Sequence, residues 1–124
     1  MSPVEQIRFK FAAAKALAAI QWMLHQRPEL DLHAILKTCY FADKEHLNNF
    51  GRPIFGASYR AMRFGPVPLE IYEMLKGESL WLAEIKADMY PWELRGYIVR
   101  QTGNSAPHLD CLSETDMECL GKAL

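Results

Sequence analysis

Cysteine is scarce in this chain: it occurs three times in 124 residues, as Cys39, Cys111 and Cys119. An odd number without close pairing excludes a zinc knuckle and a dithiol redox motif, and it suits a reducing compartment. Net charge is nearly absent as well, with 14 Lys plus Arg against 15 Asp plus Glu, so nothing draws the whole chain toward nucleic acid or anionic lipid. A long apolar run is also missing, because the stretch from Phe11 to Leu24 is interrupted by Lys15 and Gln21. The opening Met1-Ser2-Pro3-Val4-Glu5 has no basic start followed by the apolar core of an export signal. These absences point to a cytoplasmic protein without a membrane span, and by elimination to a protein partner.

The motifs of common chemistries are missing too. Among His25, His33, His46 and His108, no pair has the spacing of a helical zinc-protease site. Gly51, Gly56 and Gly65 fit neither a phosphate-binding loop nor a dinucleotide fingerprint, and read as turn residues. No helix-turn-helix with a basic recognition helix is visible, so nucleic acid is not the expected partner. No catalytic residue, metal or cofactor is expected. The alternative from another class is a hydrolase built on Asp43, His46 or Cys39, but nothing in the sequence arranges a nucleophile beside a base. Asp43 and His46 lie one helical turn apart, where the plainer reading is local hydrogen bonding. Cys39, among Leu36, Tyr40 and Ala42, reads as a buried structural thiol.

What the chain does have is apolar bulk, 50% of its residues, enough for one core and one domain over residues 1–124. From Glu5 to Gln26, Ile7, Phe11, Ala14, Leu17 or Ala18, and Leu24 share one helical face, and Arg27-Pro28 ends that helix. Asp31 is a candidate N-cap for a second helix carrying Leu32, Ile35, Leu36, Cys39, Tyr40, Leu47 and Phe50, which Gly51-Arg52-Pro53 closes. The short link between the two predicts an antiparallel pair. A strand is expected over 57–64, broken by Gly65-Pro66-Val67-Pro68. A third helix is expected from Pro68 to about Lys76, stopping at Gly77. Leu80 to Tyr90 fits either a short helix or a loop. Leu94 to Gln101 and His108 to Leu112 are expected as antiparallel strands, forming a small sheet with the 57–64 segment. Ser113-Glu114-Thr115-Asp116 is a variant capping box opening a last helix. That helix is short enough to expect a further helical piece after it. The fold class is therefore mostly α (α+β), a compact helical domain with a small antiparallel sheet.

Two features suggest a site. Asp43 falls close to an apolar stripe, where a carboxylate needs a partner such as Arg60, Arg63 or backbone amides, and a buried anchoring contact is expected. Arg52, Tyr59, Arg60, Arg63 and Phe64 form the stretch richest in arginine and aromatics, a chemistry enriched at protein interfaces. The competing view is a solvated edge strand whose charges discourage aggregation.

In this same region the chain resembles a known family. The run from Ile35 to Leu47 containing Tyr40-Phe41-Ala42-Asp43, then Gly51-Arg52-Pro53-Ile54 with Gly56, then Tyr59 to Pro68 ending Gly65-Pro66-Val67-Pro68, and Tyr72 with Leu75-Lys76-Gly77, resembles the Panacea domain of SocA-like antitoxins and phage-associated bacterial proteins. One departure is Cys39, where an aliphatic residue is expected. The resemblance implies a mostly helical domain with a small sheet, acting as the antitoxin of a toxin–antitoxin pair that binds and neutralises a co-encoded toxin. The alternative it implies is a proteolytic adaptor delivering a toxin to an AAA+ protease. The family stretch together with residue chemistry makes Arg52, Tyr59, Arg60, Arg63 and Phe64 the candidate contact surface, and Asp43, His46, Gly65 and Pro66 the candidate structural anchors. Self-association into a homo-oligomer is left open.

Overall fold

The computed structural model describes residues 10–63, 65–103 and 105–124. Helix α1 spans Ala13–Gln26 and buries Ala16, Ala19, Ile20, Met23 and Leu24. The part of the expected first helix before Lys10 lies outside the described residues. Pro28 cannot continue α1, and the chain turns into a three-residue strand, β1 (Glu29–Asp31). The Asp31 carboxylate then accepts the His33 N–H at 2.8 Å and caps α2, Leu32–Phe50. Gly51, at φ +78°, ends α2 in the left-handed conformation, and its N–H donates to the Leu47 carbonyl.

Strands β2 (Tyr59–Met62) and β3 (Gly65–Pro68) form a hairpin, followed by α3 (Leu69–Leu75), which Gly77 closes at φ +84°. Residues 79–90 hold a 3₁₀ turn, Ser79–Trp81, and then irregular turns. Strands β4 (Trp92–Arg95) and β5 (Ile98–Gln101) make a second hairpin. A 3₁₀ turn at Leu109–Cys111 leads to α4, Glu114–Ala123. No helix among the described residues is long and apolar enough to cross a membrane.

This is a mostly helical α+β fold with antiparallel sheets, but the sheets are assembled differently from the expectation. The larger one has the order β1-β5-β4. Its outer strand β1 pairs Leu30 with Val99, both buried, and Glu29 with Arg100, whose side chains meet at 2.8 Å. The expected single strand from Leu94 to Gln101 is two strands folded at Gly96-Tyr97, with Gly96 at φ +63°. His108 to Leu112 is not a strand, since the Cys111 and Leu112 amides close local 3₁₀ bonds. Of the 57–64 segment, Tyr59–Met62 is a strand, and it pairs with none of the three strands of that sheet. It folds back on residues 65–68, which the two prolines had marked as a break.

The helix packing also departs from the expectation. Helix α2 packs most extensively against α4, not α1, while α1 lies over the Leu109–Cys111 turn and β5. All contribute to one core, in which Ile35, Ile71, Met74, Val99 and Leu120 are buried. Trp92 is held there by a hydrogen bond from its indole N–H to the Met74 carbonyl at 3.2 Å.

The αL cap at Gly51 gives a simple test. No neighbouring atom would meet an added Cβ, so only backbone conformation resists one. Gly51→Ala should lower stability by about 1 kcal/mol, and Gly51→Asn by clearly less. Urea unfolding of the two variants checks this.

Candidate functional site

Of the three buried polar side chains on α2, Thr38 bonds within the helix, and the other two tie it to later segments. The first is Asp43, 4% exposed. Its Oδ1 accepts the backbone N–H groups of Ile54 at 2.6 Å and Phe55 at 3.0 Å, and its Oδ2 accepts the Tyr59 hydroxyl at 2.7 Å. The carboxylate thus takes backbone amides and a phenol, with neither Arg60 nor Arg63 in that role. These bonds seat Ile54 and Phe55 in the core. The Phe55 carbonyl then accepts the Ala12 N–H at 2.8 Å, tying the start of α1 to the same loop. Burial first, and then the charge of Asp43, push the Tyr59 hydroxyl well above the usual phenol range, so it remains a donor.

One turn on, His46 is fully buried. Its Nδ1 faces the Arg52 carbonyl at 2.7 Å and must therefore carry a proton and donate. Its Nε2 lies 2.8 Å from Thr115 Oγ1 and 3.2 Å from Asp116 Oδ1. Asp116 is itself fully buried and completes the capping box of α4 with Ser113. Its Oδ2 accepts the Lys15 ammonium at 2.9 Å and the Ser113 N–H at 2.9 Å. Its Oδ1 has no well-aligned hydrogen bond, with His46 at 3.2 Å and Arg52 at 3.6 Å as its nearest cationic or ring neighbours. Burial alone would raise the Asp116 pKa, but the Lys15 and Ser113 contacts together outweigh it and hold the carboxyl below its usual range. One cluster therefore joins α1, α2, the loop after α2, and α4.

This cluster is not arranged for nucleophilic catalysis. A hydroxyl–imidazole–carboxylate triad places the carboxylate on the ring nitrogen opposite the hydroxyl. Here Thr115 and Asp116 crowd the same nitrogen, and a carbonyl closes the other. The thiols offer no alternative. Burial first, then Asp43, pushes the Cys39 thiol far up. Burial also raises Cys111, and burial with the nearby Glu45 carries Cys119 up to about 11. No group of His, Cys, Asp and Glu among the described residues is arranged to hold a metal ion.

The remaining candidates divide between two places. Arg52 points at the α4 N-terminus, with one guanidinium nitrogen 3.3 Å from Ser113 Oγ. Tyr59, Arg60 and Arg63 stand together on the β2–β3 hairpin, all exposed to solvent, although the Tyr59 hydroxyl turns inward. Gly65 opens β3 at φ +114°, and Pro66 follows it on the same strand. Phe64 lies outside the described residues.

Between α2 and β3 runs an open groove of about 470 Å³, lined by His33, Leu36, Lys37, Tyr40, Phe41, Pro66 and Val67. Phe41 is 50% exposed beside it. Lys37, Phe41, Lys44 and Asn48 recur at helical spacing, forming a stripe on α2 in which two lysines flank an exposed aromatic ring. Lys44 lies over the Tyr40 ring, and Tyr40 meets the Tyr59 ring edge-on at 5.5 Å, which links the stripe to the hairpin. The groove was missed in the sequence because one of its walls, Pro66 and Val67, is β3, which the prolines disguised. Lys15, Thr115 and Asp116 were missed as a cluster because only the fold brings them to His46.

Two stability measurements follow. Asp43→Ala leaves two buried amides without an acceptor and should cost about 3 kcal/mol or more, whereas Tyr59→Phe should cost about 1 kcal/mol. In a double-mutant cycle, Tyr59→Phe should have almost no further effect once Asp43 is Ala. For Asp116 the folded-state pKa lies below its ordinary 3.8, so its contribution is present above that pH and lost as pH falls through the lower folded value. Asp116→Asn should therefore be destabilising at neutral pH, with the difference from the parent chain shrinking under acid. Chemical denaturation across pH reads this out.

Comparison with curated proteins and with solved structures finds no match. A family model described as antitoxin SocA-like, Panacea domain, matches residues 35–124, from the first turn of α2 through α4. That span takes in Asp43, His46, both hairpins and the capping box of α4. The chain belongs to the SocA-like antitoxin family of the Panacea domain.

Proposed function

We propose that this protein is the antitoxin of a toxin–antitoxin pair and neutralises a co-encoded toxin by binding it directly. The observation that carries the reading is family membership across residues 35–124. The surface chemistry supports it. Phe41, Leu47 and Phe50 on α2 and Met62 on β2 are each more than two-fifths exposed, and Lys37, Lys44 and Arg60 stand among the same elements. Apolar side chains with a basic rim suit a protein interface better than a small-molecule site. The groove between α2 and β3 is open to solvent, which fits a polypeptide laid across it. The cytoplasm is the compartment that suits three unpaired cysteines and a cytosolic toxin.

The test is co-expression with the product of the adjacent gene, scoring growth, co-purification and the amount of toxin remaining. Growth rescue with undiminished toxin in a stable complex is the expected result. A harmless neighbour that does not co-purify would refute the reading. Rescue that occurs only with loss of the toxin, and only in cells holding the relevant AAA+ protease, would assign the adaptor role instead.

A further inference from the structure

The β2–β3 hairpin has two edges, and they are not equivalent. The Leu69 N–H donates to the Ser58 carbonyl at 2.8 Å, which fixes the parity of the ladder. Given the register, the hydrogen-bonded pairs are Arg60 with Val67 and Met62 with Gly65. Tyr59 with Pro68 and Ala61 with Pro66 are the non-hydrogen-bonded pairs, whose backbone groups point away from the partner strand. Along the outer edge of β3 those positions are prolines, which have no N–H to offer, and β3 lies against α2. Along the outer edge of β2 they are Tyr59 and Ala61, whose N–H and C=O groups have no partner among the described residues. Every residue of β2 is exposed.

We propose that the outer edge of β2 is the docking strand for an extended acidic segment of the protein partner, which adds as a third strand to the hairpin. This inference rests on the antitoxin reading and names how the toxin is held. Main-chain bonds from Tyr59 and Ala61 supply the register, and side chains supply the selectivity. Arg60 is exposed and makes no ion pair among the described residues, so a carboxylate on the incoming strand finds an uncommitted guanidinium there. Met62, on the same face of the strand, offers an apolar contact at 44% exposure. A second copy of this chain is a poor occupant, because pairing two β2 edges brings Arg60 of both copies into one short ladder of like charge. The arginines thus act against self-pairing and in favour of an acidic strand.

The experiment is amide hydrogen exchange by NMR on the full chain, free and in complex with the product of the adjacent gene, with affinities of variants measured alongside. In the free protein the Tyr59 and Ala61 amides should exchange fast, while those of Arg60 and Met62 are slowed by pairing with β3. In the complex all four should be protected. Ala61→Pro removes an outward N–H without touching a bond to β3, and loss of the augmenting bonds should weaken binding by about tenfold or more. Arg60→Glu, an exposed change that leaves the hairpin folded, should weaken it at low salt, while the charge-matched Arg95→Glu on β4 should not. A complex in which Tyr59 and Ala61 still exchange fast, or in which both β2 variants bind like the parent, overturns the docking edge and leaves the antitoxin reading standing. Failure of the parent chain to bind the neighbouring product overturns both.

Discussion

The fold after α2 depends on one requirement: the Asp43 carboxylate, buried in a helix, must have donors. Left alone, a charge so placed would cost several kcal/mol, by general estimates for buried ions. Its three donors come from Ile54, Phe55 and Tyr59, so satisfying it draws the loop after α2 back over the helix and sets where β2 begins. The same loop passes the Phe55 carbonyl to the Ala12 N–H, and the Arg52 carbonyl to His46. A single acidic residue thereby fixes the hairpin, the start of α1 and the surroundings of the second cluster. The bond from Tyr59 explains why a phenol stands at the head of an otherwise exposed strand. Its ring extends over Tyr40 while its hydroxyl is held inside.

The second cluster closes the other side of α2. Lys15, His46, Arg52 and Asp116 come from four different parts of the chain, and the bonds between them run from α1 through α2 to the first turn of α4. Asp116 serves two purposes at once, since the oxygen that accepts the Ser113 N–H in the capping box also receives the Lys15 ammonium. A short terminal helix of ten residues is marginal by itself, and this contact, with Leu120 in the core, is what docks it. Both clusters hold the scaffold together, and neither presents a reactive group to solvent.

Local signals in the sequence were legible where a single residue decides the outcome. Asp31 and Ser113 mark helix starts, Gly51 and Gly77 mark ends, and an aspartate beside an apolar stripe signals a required partner. The illegible parts were those settled by distant segments. Strand β1 has three residues and no pattern of its own, and exists because Val99 and Arg100 lie opposite Leu30 and Glu29. Residues 65–68 hold two prolines in four positions, a composition that argues against a strand. They are tolerated because both fall where the ladder needs no N–H. The pairing of α2 with α4, and of His46 with Asp116, spans most of the chain and leaves no local trace. The Arg-rich stretch was visible, but composition alone could not separate Arg52, turned toward α4, from Arg60 on the open hairpin.

Rigidity is what the proposed docking asks of that hairpin. A two-stranded hairpin is only marginally stable by itself, and a strand that must order itself on binding gives up affinity to conformational entropy. Here β2 is pinned at its head by the Tyr59 hydroxyl on Asp43 and along its length by β3, which in turn rests on α2. The prolines at 66 and 68 stiffen β3 and remove the donors from its outer edge, so any added strand is directed to the β2 side. In the proposed docking, an edge that is pre-ordered, one-sided and guarded by Arg60 admits an acidic strand while resisting pairing with itself. The same buried carboxylate that organises the core then also fixes the orientation of the proposed docking edge.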